Sequence, residues 1–207
     1  MNTSTKTITA SITAFATTVA SGSQFDFTIS TLGNPISLEP VTMQSITYQD
    51  SSGNTVNNYA AATSITITNT NAGTLTSPSL GQTSNVASTA NIYTFSFTPA
   101  NAIPTNAIIQ LIYPSTVSPS TTLTCSGVSG IPSATVLDCS TINTATRTIT
   151  INNGFNSTSD VSTAVSFTVE NFTNPSTTST DSFTVTTQTS GAFNIDTVSS
   201  DLVPELE

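Results

Sequence analysis

Cys125 and Cys139, in "TCSGVSGIPSATVLDCS", are the two thiols of a chain that contains no histidine. As a metal site the pair is poor, because zinc wants four nitrogen or sulfur ligands at characteristic spacings and no imidazole exists to complete the set. A disulfide is the better reading. Gly127, Gly130 and Pro132 lie between the cysteines and can turn the chain back, so that the bond bridges neighbouring strands or closes a loop. A closed loop of that size restricts the unfolded chain by roughly 3 kcal/mol. Such a bond implies an oxidising, extracellular setting.

The other reactive side chains exclude more than they offer. Without histidine there is no Ser-His-Asp triad, and a Ser–Lys pair could draw only on Lys6. The eleven acids are scattered singly, with no paired carboxylates for glycosidic chemistry. No enzymatic activity is therefore expected. Lys6 also suggests an isopeptide bond to an asparagine on a neighbouring strand. The internal repeat described below sets Arg147 at the matching position, and a guanidinium cannot do that chemistry. The plainer reading is a cation snorkelling at a strand end, or pairing with an acid such as Asp26 or Glu170.

Oxygen ligands for Ca²⁺ could come from Asp50 with Asn54 in "DSSGN", or from Asp196 with Asp201 near the C-terminal edge. The competing reading makes Asp50–Gly53 a hairpin turn with glycine at a positive-φ position. No D-x-D-x-D spacing exists, and no other cofactor is expected. Asn2, Asn156 and Asn171 are N-x-[S/T] glycosylation candidates. Asn156 falls in a predicted loop, "GFNSTSD", and Asn171 at a strand end. The T-x-T pairs lack the short regular period of an ice-binding solenoid face.

Composition sets the scaffold for these residues. Charged residues make up 6% of the 207 positions, against roughly 25% in an ordinary domain, and serine and threonine fill more than a third of the chain. Enrichment in Ile, Val, Thr and Phe suits pleated sheet and argues against disorder. A net charge of −9 with two basic residues leaves no footprint for nucleic acid and no attraction to an anionic membrane surface. No apolar run approaches the roughly 18 residues of a membrane span. No signal peptide opens the sequence, as expected of a piece excised from a longer protein.

Period-two alternation recurs in "FDFTIS" (Phe25 to Ser30), "SITITNT" (Ser64 to Thr70), "YTFSFTP" (Tyr93 to Pro99), "AVSFTVENF" (Ala164 to Phe172) and "DSFTVTTQ" (Asp181 to Gln188). Each reads as a strand with one apolar face. "AIIQLIY" (Ala107 to Tyr113) is continuously apolar and predicts a strand buried on both sides. Gly33-Asn34-Pro35, Asp50–Gly53, Asn153-Gly154 and Asn174-Pro175 punctuate the runs as turns. Short strands at this spacing predict an all-β sandwich.

The chain also repeats itself. "TKTIT" from Thr5 recurs as "TRTIT" from Thr146, and "SQFDFTISTLGNPIS" aligns with "TAVSFTVENFTNPST". Phe27, Asn34 and Pro35 fall on Phe167, Asn174 and Pro175, each 140 positions later, and Met43 and Gly53 fall on Phe183 and Gly191. A period near 140 is too long for a solenoid coil and fits a whole sandwich with its connector.

In texture and order, "YTFSFTPANAIPTNAIIQLIYPS", the cysteine pair and "TRTIT…SFTVENFTNPSTTSTDSFTV" resemble the tandem immunoglobulin-like or cadherin-like β-sandwich repeats of large extracellular surface proteins, of the kind found in ciliated protists. That resemblance implies tandem immunoglobulin-like antiparallel sandwiches at the cell surface or in a secreted protein, and carries over no catalytic or binding residue. Residues 1–86 are then expected to be a partial or smaller module with its connector. Residues 87–203 would be a complete module with the disulfide, and 204–207 a tail in which Leu206 and Glu207 are a candidate cloning scar. The role expected is structural or adhesive, with neighbouring copies or other surface proteins as partners and head-to-tail assembly into filaments as one form. The alternative is a glycan- or Ca²⁺-binding module on the same fold.

Overall fold

The computed structural model of the chain describes residues 35–50, 52–67, 71–132, 137–177, 181–198 and 202–207, with residues 20, 28 and 33. Asn2, Lys6, Asp26, Asp201 and most of the "FDFTIS" run lie outside the described residues. The chain divides into two compact units, Met1–Gly33 and Asn34–Glu207, and every strand described here belongs to the second. The strands are β1 (Val41–Gln49), β2 (Thr55–Ile67), β3 (Gly73–Thr74), β4 (Thr76–Gln82), β5 (Ala90–Thr98), β6 (Ile108–Ile112), β7 (Ser118–Ser129), β8 (Asp138–Asn143), β9 (Thr148–Asn152), β10 (Val165–Thr173), β11 (Thr184–Gln188) and β12 (Asn194–Thr197). No helix occurs among the described residues.

From β3 onward the strands form two sheets, one ordered β4-β5-β10-β7 and the other β3-β12-β11-β6-β9-β8. They share one hydrophobic core, as in a β-sandwich. Alternation drives it. β5 turns Tyr93, Phe95 and Phe97 inward, and its partner β10 turns Val165, Phe167 and Val169 to meet them. Phe95 stacks on Phe167 at 5.2 Å, and Phe183 crosses from the six-stranded sheet to reach Tyr93 at 5.0 Å and Phe95 at 5.1 Å. Each such ring contributes about 1.5–3 kcal/mol by leaving water.

β10 breaks its own parity once. Asn171 adopts φ 69° at a bulge against both neighbours, so Phe172 rather than residue 171 returns to the core. β6 lies between β11 and β9, and its exposure alternates. Ile109 and Leu111 are buried while Ile108, Gln110 and Ile112 are half-buried, so the continuous apolar run covers one core face rather than two.

The outward positions explain how so few charges suffice. Pairing registers set Thr74, Thr197, Thr186, Gln110, Thr150 and Thr141 in one row across the six-stranded sheet. Ser79, Ser96, Ser166 and Ser129 form a corresponding row on the other. Neighbouring hydroxyls bond within these rows, as at Ser96–Ser166 (2.9 Å) and Thr186–Thr197 (3.1 Å).

β4 precedes residue 87 and pairs with β5 after it, and β3 pairs with β12, so the sandwich takes in Gly73–Gln82. At its other terminus Glu207 N donates to Asn85 O, and Glu205 N to Gln82 Oε1. The β4–β5, β6–β7, β8–β9 and β10–β11 connections gather at that pole; the remaining connections lie at the opposite one, where Leu38 N donates to Asn194 O.

β1 and β2 form a separate antiparallel sheet across the Asp50–Gly53 turn. Its register matches that of β11 and β12 at two pairs under the repeat alignment. Thr47 faces Asn58 as Thr187 faces Asp196, and Ile46 faces Tyr59 as Thr186 faces Thr197. On either side the two slip by one residue: Tyr48 faces Asn57 where Gln188 faces Asn194, and Met43 faces Ile65 where Phe183 faces Leu202.

Candidate functional site

Cys125 and Cys139 are joined in a disulfide with a Cα–Cα distance of 6.0 Å. Cys125 sits on β7 and Cys139 on β8, edge strands of different sheets. The bond therefore closes one open side of the sandwich by tying its two layers, and both sulfurs are buried in the core. An oxidising environment is consistent with it.

Of the acids that sequence offered to Ca²⁺, Asp50 and Asp196 have oxygens engaged by the protein, and Asp201 lies outside the described residues. Asp50 Oδ1 accepts from Ser52 N (2.9 Å) and Asn54 N (2.8 Å), and Oδ2 from Asn54 Nδ2 (3.0 Å). The Asn54 side-chain amide, followed by its backbone N–H, holds the Asp50 carboxyl below its ordinary value of 3.8. Gly53 carries φ 84° in this hairpin turn. Asp196 is fully buried and accepts from Ala100 N, Asn101 N and Asn101 Nδ2 at 2.7–3.0 Å. Its carboxylate thus fastens the β5–β6 connection to β12, and Gly73 on β3 packs so closely that a Cβ there would meet Asp196 Oδ1 and Asn101 Nδ2. Among the described residues no group of three or more His, Cys, Asp or Glu converges on one point.

Both described glycosylation candidates are exposed. Asn156 lies in the β9–β10 loop. Asn171 occupies the β10 bulge, where its Nδ2 donates to Thr122 O (3.1 Å).

Two polar sites were not visible in sequence. Asn174, written as a turn residue before Pro175, is buried and organises the pole at the β4–β5 connection. Its Oδ1 accepts from Tyr93 Oη (2.6 Å) and Asn91 Nδ2 (2.7 Å), while its Nδ2 donates to Ser84 O and Val86 O (both 2.9 Å). Asn91 Oδ1 takes the amides of Thr83, Ser84 and Ile92. Burial pushes the Tyr93 phenol above its usual 10.0.

The second site is a cleft of about 350 Å³ at the same pole, on the outer side of the six-stranded sheet. Tyr113, Pro114, Arg147, Asp181, Ser182 and Thr184 line it. Arg147 is the single cation among the described residues. It ends the β8–β9 turn, in which Asn143 Oδ1 accepts from Ala145 N and Thr146 N, and its own carbonyl accepts from Tyr113 N (3.0 Å). Its φ is 56°, in the left-handed region where glycine or asparagine is usual. Asp181 Oδ2 accepts from Ser115 Oγ (2.8 Å). Arg147 therefore shares its cleft with Asp181, whereas Glu170, an acid suggested for it by sequence, lies on β10 of the other sheet. No described helix is long and apolar enough to cross a membrane.

No protein-family model matches the chain, and no curated protein sequence matches it. Among solved structures it is similar to the crystal structure of BslA, a bacterial hydrophobin, at 14% identity and a TM-score of 0.35; the match covers 61% of this chain and 98% of that one.

Proposed function

We propose that the chain is a structural and adhesive repeat module of a large surface-displayed or secreted protein, in which immunoglobulin-like sandwiches follow one another head to tail. The carrying observation is that the β1–β2 and β11–β12 hairpins pair alike at two repeat-related positions, Thr47–Asn58 with Thr187–Asp196 and Ile46–Tyr59 with Thr186–Thr197. One hairpin geometry used twice, about one sandwich apart in sequence, is what a tandem array produces. Strand order supports the immunoglobulin-like reading: β4-β5-β10-β7 opposite β12-β11-β6 follows the ABED and GFC sheets, with the β8–β9 hairpin added beside β6. Entry at one pole and exit at the other suits a string of modules. The inter-sheet disulfide and the uncharged hydroxyl faces suit a load-bearing element outside the cell.

Pulling the chain from its ends by atomic force microscopy tests the mechanical part. A discrete rupture of the sandwich is expected. Reduction should lengthen the released contour by about 45 Å, since the bond spans 14 residues at roughly 3.6 Å each less its own 6.0 Å. Smooth extension without a rupture, or an increment insensitive to reduction, would refute the reading.

A further inference from the structure

We propose that the Arg147 cleft binds a carboxylate-bearing sugar of the uronic acid class; this names the ligand of the adhesive module and rests on that reading. Three observations converge. A chain of net charge −9 sets its single described cation at the rim of a cleft. The backbone beneath that cation is left-handed, as at seven other described non-glycine positions, a conformation that costs a residue with a side chain of order 1 kcal/mol or more. The remaining wall mixes donors and acceptors, with hydroxyls at Ser182 and Thr184 and a carboxylate at Asp181.

That combination selects among anions. A guanidinium offers a forked donor for one carboxylate. Asp181 would repel a second negative charge but accept hydrogen bonds from sugar hydroxyls, which Ser182 and Thr184 can also engage. A polyacidic peptide brings several charges against Asp181 and the acidic chain, whereas a uronate brings one carboxylate surrounded by hydroxyls. The cleft is shallow, so each site is weak, with Kd of order 1 mM, and repetition along an array converts weak sites into firm attachment. Lys6, the repeat counterpart of Arg147, keeps the positive charge in sequence.

The test is a two-dimensional NMR titration of the 207-residue chain with sodium D-glucuronate, D-glucose, sodium acetate and tetraglutamate. Glucuronate should shift the amides of Tyr113, Arg147, Ser182 and Thr184 saturably. The other three should act at least tenfold more weakly. Arg147→Ala and Arg147→Gly should both lose the response, while Arg147→Gly, freed from the left-handed cost, melts about 2–4 °C higher. A gain in stability coupled to a loss of binding is not what an arginine kept only for structure would show. Equal shifts with acetate would mean simple anion pairing, and equal shifts with tetraglutamate an acidic-peptide site; either result, or no saturable shift, overturns the proposal. None of these failures would alter the mechanical rupture, so the site and the module reading fail separately.

Discussion

Asn174→Ala should be among the most damaging polar substitutions in the sandwich. The wild-type side chain makes four hydrogen bonds, to Tyr93 Oη, Asn91 Nδ2, Ser84 O and Val86 O. After truncation Asn91 Nδ2 and Ser84 O still have each other. Tyr93 Oη loses its acceptor and keeps only the Asn91 side chain beside it, in a residue fully buried against Phe172 and Phe183. One orphaned buried hydroxyl costs about 1–3 kcal/mol, and each of the three further lost bonds about 0.5–1.5 kcal/mol, so about 2.5–7.5 kcal/mol is expected in all. Tyr93→Phe alone leaves Asn174 Oδ1 with Asn91 and should cost about 1–2 kcal/mol. In the Asn174→Ala background it removes the orphan instead, so the double variant should be no less stable than Asn174→Ala. Urea denaturation followed by far-ultraviolet circular dichroism, with the disulfide intact, measures all four corners of the cycle. Additivity within about 0.5 kcal/mol, or a cost below about 1 kcal/mol for Asn174→Ala, would refute the network argument. The same pair has a pH signature. A phenol whose folded pKa is raised contributes stability that is complete below its unfolded value of 10.0 and is lost as pH climbs through the folded value. Tyr93→Phe should flatten that alkaline limb.

Cys125→Ser with Cys139→Ser should cost about 3 kcal/mol, the closure entropy of a loop this size, read as a lower urea midpoint that reducing agent no longer shifts. Gly73→Ala should cost at least about 2 kcal/mol by driving a methyl group into Asp196 and Asn101. Hydrogen exchange should then quicken at Leu75, Ala100 and Asn101, whose amides bond to Thr197 and Asp196. In the exposed β1–β2 turn, NMR should find Asp50 titrating below 3.8. Asn54→Ala should raise that midpoint by removing the largest cause of its depression. A lowered folded value means that this carboxylate helps the turn above 3.8 and ceases to as pH falls through the folded value.

Sequence and structure agree where one local rule decides the outcome. Tyr93, Phe95 and Phe97 alternate with Thr94, Ser96 and Thr98, and that period alone places β5. β4 fails the same rule. "TSPSLGQ" holds Pro78 and Gly81, which read as loop, yet an edge strand tolerates both because one side of it donates to nothing. β7 is illegible for another reason: of its twelve residues only Leu123 and Cys125 are buried, so hydroxyls mask the alternation. The cysteine pair is legible in part. Fourteen residues suggest neighbouring strands or a closed loop; the bond closes that loop, Cys125 bridges Leu137 just before β8, and because β7 and β8 belong to different sheets the bond also ties the layers.

Asp50, Asp196 and Asn174 extend the point to function. Asp50 is legible as a turn residue because its donors, Ser52 and Asn54, are local. Asp196, read from sequence as a Ca²⁺ candidate, and Asn174, read as a turn residue, take their roles from groups that converge on them from distant segments. Asp196 draws its donors from residues 95 and 96 positions away, and Asn174 bonds groups more than 80 positions away. Such convergence leaves no periodic trace in sequence. Arg147 differs because its oddity is local: a cation in an almost uncharged chain, at a turn position that favours glycine. Only the backbone of Arg147 serves the buried Tyr113, so its charged side chain is the kind retained for what it contacts outside the chain. That reasoning directs a search for ligands to the cleft at the β8–β9 pole, where Asp181 is the neighbouring acid.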